Sequence, residues 1–358
     1  YTAATGGTKV GNAGATYTPS ASTTLYAQWT ANTNTAYKVY HYTQNVSGSA
    51  YTEHSTENKT GTSDASVTLA NLKKTISGFT YSEGFADTSA KGTTKPSSGA
   101  VTTTTILPDG TRVISLYYTR NSYTVTLTKG TGIASVSGAA TYKYGASVTL
   151  DASVSDGYSW SQWTQTSGGA SVSTTKAYSF TMPASNLSYT ANATPNNYSI
   201  TLNKNGGTSG TSTIYTTYTI NVYNDSNRTK AMTTSANGIT KPSKTYTITY
   251  NGNNGTVGTT SSDNTTSSAT FNGYYSAATS GTQYISSNGY ITSAGLTAGK
   301  ALTANGTWYA QFGTQPTVTL PSASRTGYTL NGWYTAATGG TKVGDAGATY
   351  TPSASTTL

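Results

Sequence analysis

The chain contains no cysteine among its 358 residues, so disulfide bonds are excluded. An extracellular protein without disulfides needs another source of stability, such as many small cores in series or other covalent links. An isopeptide bond between lysine and asparagine needs a nearby buried carboxylate, and the chain has only 11 acidic residues. Ordinary surface lysines are the simpler interpretation, and we expect small cores to stabilise the chain.

Charge is also scarce, because only 9% of the residues are charged, against about 25% in ordinary domains. The net charge of +9 is spread thinly, and the densest basic run is the pair Lys73 and Lys74. Nucleic-acid binding needs a dense basic stripe, so we predict no nucleic-acid partner. Weak attraction to cell-wall or host glycans that carry negative charge is the alternative to a simple solvated surface.

Groups that carry catalysis are few. The chain has two histidines, His41 and His54, and no motif that pairs a nucleophile with a base or groups metal ligands. The stretches at 151–157, 203–207 and 251–255 resemble calcium or phosphate loops only faintly, and turns explain them better. No apolar run is long enough to span a membrane. We therefore predict no catalytic, cofactor-binding or metal-binding residues, and no enzyme.

Threonine, serine, glycine, asparagine and tyrosine dominate the composition. Such polar chains are often disordered, but disordered chains are poor in aromatics, and this one has 30 tyrosines and five tryptophans. Threonine and tyrosine favour strands. At this length a single hydrophobic core is improbable. The composition therefore predicts a mainly β chain that folds as several small units.

The start of the sequence returns at its end. Residues 1–25 and 334–358 agree at 24 of 25 positions, with Asn12 replaced by Asp345 at an offset of 333 residues. Self-similarity of this kind is typical of repeat architectures. We expect one long period and a short overlap from a tandem array, with any secretion signal or anchor outside it.

Alternating strands open four segments, each anchored by a tyrosine. These tyrosines are Tyr37, Tyr123, Tyr198 and Tyr246. Helical spacing is weak, and the best candidate is 64–76, where Leu69, Leu72 and Ile76 share one face. The pattern predicts small, mostly antiparallel units with one short helix.

The motifs resemble a known family. An alternating strand, then Gly-Tyr-x-x-x-Gly-Trp at 327–333, then Tyr-Ala-Gln-Trp at 26–29, is similar to the Listeria–Bacteroides repeat, the B-repeat of internalins. Residues 122–195 resemble its divergent form, and residues 31–121 resemble mucin-binding-type modules. The resemblance implies tandem, small β-grasp-like (ubiquitin-like) modules in an elongated array on the bacterial cell surface.

Six segments follow from these signals. They are 1–30, the C-terminal half of a B-repeat; 31–121, a mucin-binding or B-repeat-like module; 122–195, a divergent B-repeat; 196–245, a partial repeat without the Gly-Trp half; 246–313, a B-repeat; and 314–358, the N-terminal half of the next copy of the 1–30 module.

Four tryptophans occupy matching module positions, namely Trp29, Trp163, Trp308 and Trp333. One interpretation is a platform on which sugars stack. The other, which we favour, is the main core aromatic of each module, because the position also accepts tyrosine or phenylalanine.

The leading hypothesis is a structural repeat of a long extracellular filament or stalk, and the alternative is a glycan- or host-binding adhesin. We expect segments 1–30 and 314–358 to share a conformation and to be open halves with unpaired edges. A preceding and a following copy would complete them. The partner is then the chain itself, head to tail, either as covalent repeats, which we favour, or as separate subunits.

Overall fold

The computed structural model of the chain describes residues 1–258, 264–313 and 315–358. The described residues form two compact units: residues 1–128, 136–151 and 164–190 make up the first, and residues 129–135, 152–163 and 191–358 make up the second. Strands dominate both units, so the prediction of a mainly β chain is confirmed.

Residues 1–30, all of them described, contain no helix or strand and expose most of their side chains. One reciprocal main-chain pair holds the ends of the segment together. The Tyr1 amino group donates to the Tyr26 carbonyl, and the Tyr26 N–H donates to the Tyr1 carbonyl, both at 2.9 Å. The segment is therefore ordered by local hydrogen bonds and has no buried core of its own.

Residues 31–121 fold around a four-stranded sheet. The strands in this part are β1 (Thr35–Gln44), β2 (Tyr51–Gly61), β3 (Ser66–Thr68), β4 (Phe79–Asp87), β5 (Thr103–Thr105) and β6 (Val113–Arg120). The sheet order is β2-β1-β6-β4, with β1 parallel to β6 and antiparallel pairs on both sides. Alternation in β1 buries Tyr37 and Val39 on one face, as the sequence predicts.

The predicted helix over 64–76 is wrong. Its first residues form β3, which pairs with β5, and only Leu69–Leu72 form a 3₁₀ turn before Lys73 returns to an extended conformation. The spacing of the apolar residues nevertheless has a structural reason, since Leu69 is buried and Leu72 and Ile76 pack against the same core. A single turn followed by extended chain brings all three onto the sheet.

Eight strands follow between residues 122 and 195. They are β7 (Ser122–Lys129), β8 (Ile133–Ser137), β9 (Ala140–Lys143), β10 (Ser147–Val154), β11 (Tyr158–Gln165), β12 (Ser171–Ser173), β13 (Tyr178–Thr181) and β14 (Leu187–Pro195). Within the first unit, β7 pairs with β9 and β10 pairs with β13, both antiparallel.

The remaining strands belong to the second unit. They are β15 (Asn197–Asn203), β16 (Thr213–Thr217), β17 (Asn221–Tyr223), β18 (Lys244–Thr249), β19 (Thr256–Val257), β20 (Asn264–Ala269), β21 (Phe271–Tyr275), β22 (Gln283–Ser286), β23 (Gly306–Phe312), β24 (Val318–Thr319), β25 (Ala323–Ser324), β26 (Trp333–Tyr334), β27 (Lys342–Gly344), β28 (Thr349–Tyr350) and β29 (Thr356–Thr357).

These strands are interleaved along the chain. A six-stranded sheet has the order β17-β16-β15-β23-β21-β22, so it combines strands from 197–223 and 271–312. The strand β18 lies between them in sequence, yet it pairs with β20 and, in parallel, with β29 near the end of the chain. The predicted segment 246–313 is therefore divided between different sheets. Its part at 271–312 joins segment 196–245 and supplies the half that this segment lacks, whereas its earlier strands β18 and β20 lie in the sheet with the order β20-β18-β29.

One α-helix, α1 (Ser293–Lys300), packs against β16, β17 and β22. The Thr292 hydroxyl caps it by accepting a hydrogen bond from the Gly295 N–H at 3.1 Å. Gly299 is needed because a Cβ there would lie 2.5 Å from the Val222 side chain. Among the described residues, no helix has the length and apolar character needed to cross a membrane.

The last strands enclose a second core in this unit, around β18. Its buried residues are Tyr246, Ile248, Tyr250, Ala269, Val318, Leu320, Trp333 and Leu358. Short pairs β24–β28, β19–β25 and β26–β27 surround it. The C-terminal copy of the repeated 25-residue sequence contributes Leu358 to this core, and Val343, Ala348 and Tyr350 of the same copy pack against it. The N-terminal copy buries none of its side chains.

Candidate functional site

The same turn occurs three times in the chain. Its sequence is Tyr-Thr/Ser-Ala-Ala-Thr-x-Gly-Thr, at residues 1–8, 275–282 and 334–341. In each copy the N–H of the second residue donates to the carbonyl of the eighth at 3.0 Å. The N–H of the eighth residue donates to the hydroxyl of the second at 2.9, 3.0 and 2.9 Å respectively. The turn is therefore determined locally.

A glutamine completes two of these turns. The Gln28 side-chain nitrogen donates to the carbonyls of Ala3 and Gly6, at 2.9 and 2.7 Å. The Gln311 nitrogen makes the equivalent pair, at 2.9 Å each, to the carbonyls of Ala277 and Ser280. The glutamine of Tyr-Ala-Gln-Trp/Phe thus joins the final strand of a module to its turn. The recurrence of the motif marks this glutamine in the sequence, but only the structure shows which carbonyls it binds.

In the six-stranded sheet this final strand is β23. It runs parallel to β15 and antiparallel to β21. In that register Tyr309 faces Tyr275, Ala310 faces Tyr274, and Phe312 faces Phe271. The strand therefore lies in the middle of the sheet, with a hydrogen-bonded neighbour on each side.

The third turn borders an open cavity of about 420 Å³. Its lining includes Asn251, Asn253, Leu330, Trp333, Ala336 and Leu358. All of these residues belong to the second unit, on the core built around β18.

The position of the cavity corresponds to the second half of β23 in the six-stranded sheet. There, Ile200 and Thr201 of β15 face Gly306 and Thr307 of β23. Around β18, Ile248 faces Thr356 and the next residue, Thr249, faces Thr357, again in parallel. The Asn251 N–H then donates to the Leu358 carbonyl at 2.8 Å. The strand β29 is thus the start of the equivalent central strand, and the cavity follows it.

An asparagine marks the same position in both sheets. The Asn205 side-chain nitrogen donates to the carbonyls of Ala278 and Ala310, at 3.2 and 3.1 Å, and so joins the turn to β23. Asn253 makes the first of these contacts, to the Ala337 carbonyl at 3.5 Å. Asn253 also lines the cavity.

The four predicted tryptophans have two different environments. Trp163, Trp308 and Trp333 are buried, with exposed fractions of 0, 4 and 4%. Trp29 is 91% exposed, because residues 1–30 lack the sheet that surrounds the equivalent aromatic Phe312. The structure therefore places Trp29 outside any core, and the three buried rings are unavailable for sugar stacking.

A cluster of titratable groups lies in the first unit. His41 is buried, with Nδ1 3.0 Å from the Tyr118 hydroxyl and Nε2 3.2 Å from Glu57 Oε1, the latter without hydrogen-bond alignment. Burial, and then the nearby Lys74 charge, lower the pKa of His41, while Glu57 partly opposes them. Hydrogen bonds from Lys59 and Lys74 lower the pKa of Glu57 to about 2.

This cluster is structural in its geometry. The Lys74 backbone N–H donates to the Tyr118 hydroxyl at 2.9 Å, and Lys74 Nζ lies 2.7 Å from Glu57. The contacts fasten the segment after the 3₁₀ turn to the sheet, and His41 has no exposed surface through which it would meet a substrate. Within the described ranges, no group of three or more His, Cys, Asp or Glu side chains is arranged to hold a metal ion.

Two family profiles match the chain. Residues 123–197 match the divergent InlB B-repeat domain, and residues 300–358 match the Listeria-Bacteroides repeat domain. The two matches support a region of B-repeat-type domains in this chain. The families are repeat domains typical of bacterial surface proteins and are typically non-enzymatic. A search of curated proteins found no match. The resemblance of residues 31–121 to mucin-binding-type modules stays a prediction.

Proposed function

We propose that the chain comprises one structural period of 333 residues, and a 25-residue overlap with the next period, of an extracellular bacterial filament or surface stalk. The observation that supports this is the pair of B-repeat turns at residues 1–8 and 334–341, which share their sequence and their hydrogen bonds. A turn that returns after a full period provides the same junction at both ends of the unit. Junctions of this kind propagate head to tail.

The sheets support a tandem β-grasp-like array. In the sheet of residues 35–120, the first strand β1 is parallel to the last strand β6. In the six-stranded sheet, the first strand β15 is likewise parallel to the last strand β23. Small cores of this type, arranged in series, stabilise a long chain through contacts between neighbours, without disulfides.

The test is the length of chains that contain one, two and three periods. Electron microscopy of purified chains should show an equal increment in length for each added period. Immunogold labelling of the native cells should place the protein at the outer surface. Chains that collapse to a globule of unchanged length, or labelling confined to the cell interior, would reject the stalk.

The alternative function, adhesion to cell-wall or host glycans, is favoured by two exposed aromatics. Tyr328 is 67% exposed at the cavity, with the Arg325 guanidinium 4.1 Å from its ring centre, and Trp29 is exposed too. Such rings bind sugars by stacking. A glycan array that includes cell-wall polymers tests this function, and binding that is lost in Tyr328→Ala but kept in Tyr290→Ala would support it.

A further inference from the structure

We propose that the cavity beside Trp333 is an acceptor groove for the Tyr26–Trp29 strand of the next copy of the repeat. The inference rests on the proposed function and names its junction. The chain itself indicates the occupant. In the six-stranded sheet the equivalent strand, β23, lies between β15 and β21, which correspond to the elements that border the cavity.

The main-chain register can be transferred residue by residue. The sequence 329–335, Thr-Leu-Asn-Gly-Trp-Tyr-Thr, corresponds to 270–276, Thr-Phe-Asn-Gly-Tyr-Tyr-Ser. Since Tyr275 faces Tyr309, Tyr334 will face the incoming Tyr26. Within residues 1–30 the same pair, Tyr1 and Tyr26, already exchanges two hydrogen bonds. The groove therefore offers the incoming strand a partner that it is known to accept.

The polar groups of the groove match those of the strand. The incoming Gln28 amide will donate to the carbonyls of Ala336 and Gly339, which are equivalent to its contacts with Ala3 and Gly6. In the opposite direction, Asn253 will donate to the carbonyl of the incoming Ala27, as Asn205 does to Ala310. Polar groups on both sides thus gain partners, which favours this strand over an arbitrary extended peptide.

The apolar groups match as well. Leu330 is 39% exposed, whereas Phe271 at the equivalent position is 8% exposed because Phe312 lies opposite it. The incoming Trp29 takes the position of Phe312 and will cover Leu330. Two exposed apolar side chains therefore become buried together, and the open edge of the sheet is covered.

The experiment adds the strand to the whole chain. One variant extends the chain after Leu358 with Tyr-Ala-Gln-Trp-Thr, the sequence of residues 26–30. A matched control extends it with Tyr-Ala-Glu-Ala-Thr, which removes the two amide donors and the ring. We expect hydrogen exchange at Asn251 and at residues 335–341 to slow about tenfold or more in the first variant relative to the control.

A labelled Tyr-Ala-Gln-Trp-Thr peptide provides a second measurement. It should bind the unextended chain and lose about tenfold or more in affinity for the chain that carries the matching extension, because the groove is then filled. Equal exchange in the two extended variants, or peptide binding that the extension leaves unchanged, would overturn the proposal. The stalk is tested separately, since copies joined only by linkers would still lengthen in equal steps.

Discussion

Replacement of Trp333 by alanine should destabilise the core around β18. The ring is 4% exposed, its centre lies 5.1 Å from the centre of the Tyr250 ring, and Nε1 donates to the Pro321 carbonyl at 2.7 Å. Truncation removes the packed ring and leaves a cavity, which costs about 3–5 kcal/mol at buried aromatic sites. This is a large share of the ~5–15 kcal/mol that stabilises a typical domain.

Two matched variants separate the contribution of the buried ring from that of its hydrogen bond and from that of an exposed tryptophan. Trp333→Phe keeps an aromatic ring but loses the hydrogen bond to the buried Pro321 carbonyl, so we expect a cost of about 1–3 kcal/mol. Trp29→Ala removes the same side chain from a position that is 91% exposed, and it should change stability by less than about 0.5 kcal/mol.

The assay must be local, because a chain with several cores has no single two-state unfolding transition. Hydrogen exchange followed by mass spectrometry on peptides that cover 244–249 and 318–324 reports the core in question. We expect exchange there to accelerate strongly in Trp333→Ala, less in Trp333→Phe, and not in Trp29→Ala. If Trp29→Ala and Trp333→Ala had equal effects, burial would not explain the contribution of these rings to stability.

Three further outcomes follow from the structure. Gln311→Ala should destabilise its sheet by about 1–3 kcal/mol through two lost hydrogen bonds, whereas Gln28→Ala at the exposed copy should leave every core unchanged in local exchange. The sheet of residues 35–120 should lose stability, measured by circular dichroism, as the pH falls below about 6.5, because the fold keeps His41 neutral while the unfolded chain binds a proton. A second loss should follow between about pH 4.5 and 2 as Glu57 is protonated. His41→Gln should remove only the first loss. Gly273→Ala should cost about 2 kcal/mol or more in urea unfolding, since φ is +133° and a Cβ would lie 2.2 Å from a carbonyl oxygen.

Alternation was the most reliable guide to the fold. The alternating strands predicted at Tyr37, Tyr123, Tyr198 and Tyr246 are β1, β7, β15 and β18. The helix α1 has no comparable signal, because Gly295 and Gly299 lower its helix propensity. Its glycines serve close packing against neighbouring strands, which sequence spacing does not show.

The pairing of the strands after residue 196 could not be predicted from the sequence, for a different reason. The strands at 197–203 and 244–249 have nearly the same pattern, so either one fits the half-module that begins at Phe271. The choice is made by long-range pairing, with β15 beside β23 and β18 beside β29. Local patterning establishes that a strand exists but not which of two equivalent partners it takes.

The same distinction explains the tryptophans. In sequence, Trp29 corresponds to Phe312 and Trp333 corresponds to Tyr274, so the predicted match of the four positions is wrong. Burial of each ring depends on the strands around it, and Trp29 has none. Its turn is nevertheless formed, with the same hydrogen bonds as the turn at 334–341. The sequence therefore specified the local geometry of the site and left its environment undetermined.

The single substitution between the two 25-residue copies supports this view of the turn. Asp345 lies 2.7 Å from Lys342 on an exposed surface, whereas Asn12 carries no charge to pair with a lysine. The tight turn at this position is the same in both copies, since the Ala15 and Ala348 N–H groups donate to the Asn12 and Asp345 carbonyls at the same 3.0 Å. Residues 1–30 form the hydrogen bonds of their turns without a surrounding core, so the segment is already ordered before it meets a partner. Less conformational entropy is then lost when the strand enters a sheet, which favours assembly from pre-formed halves.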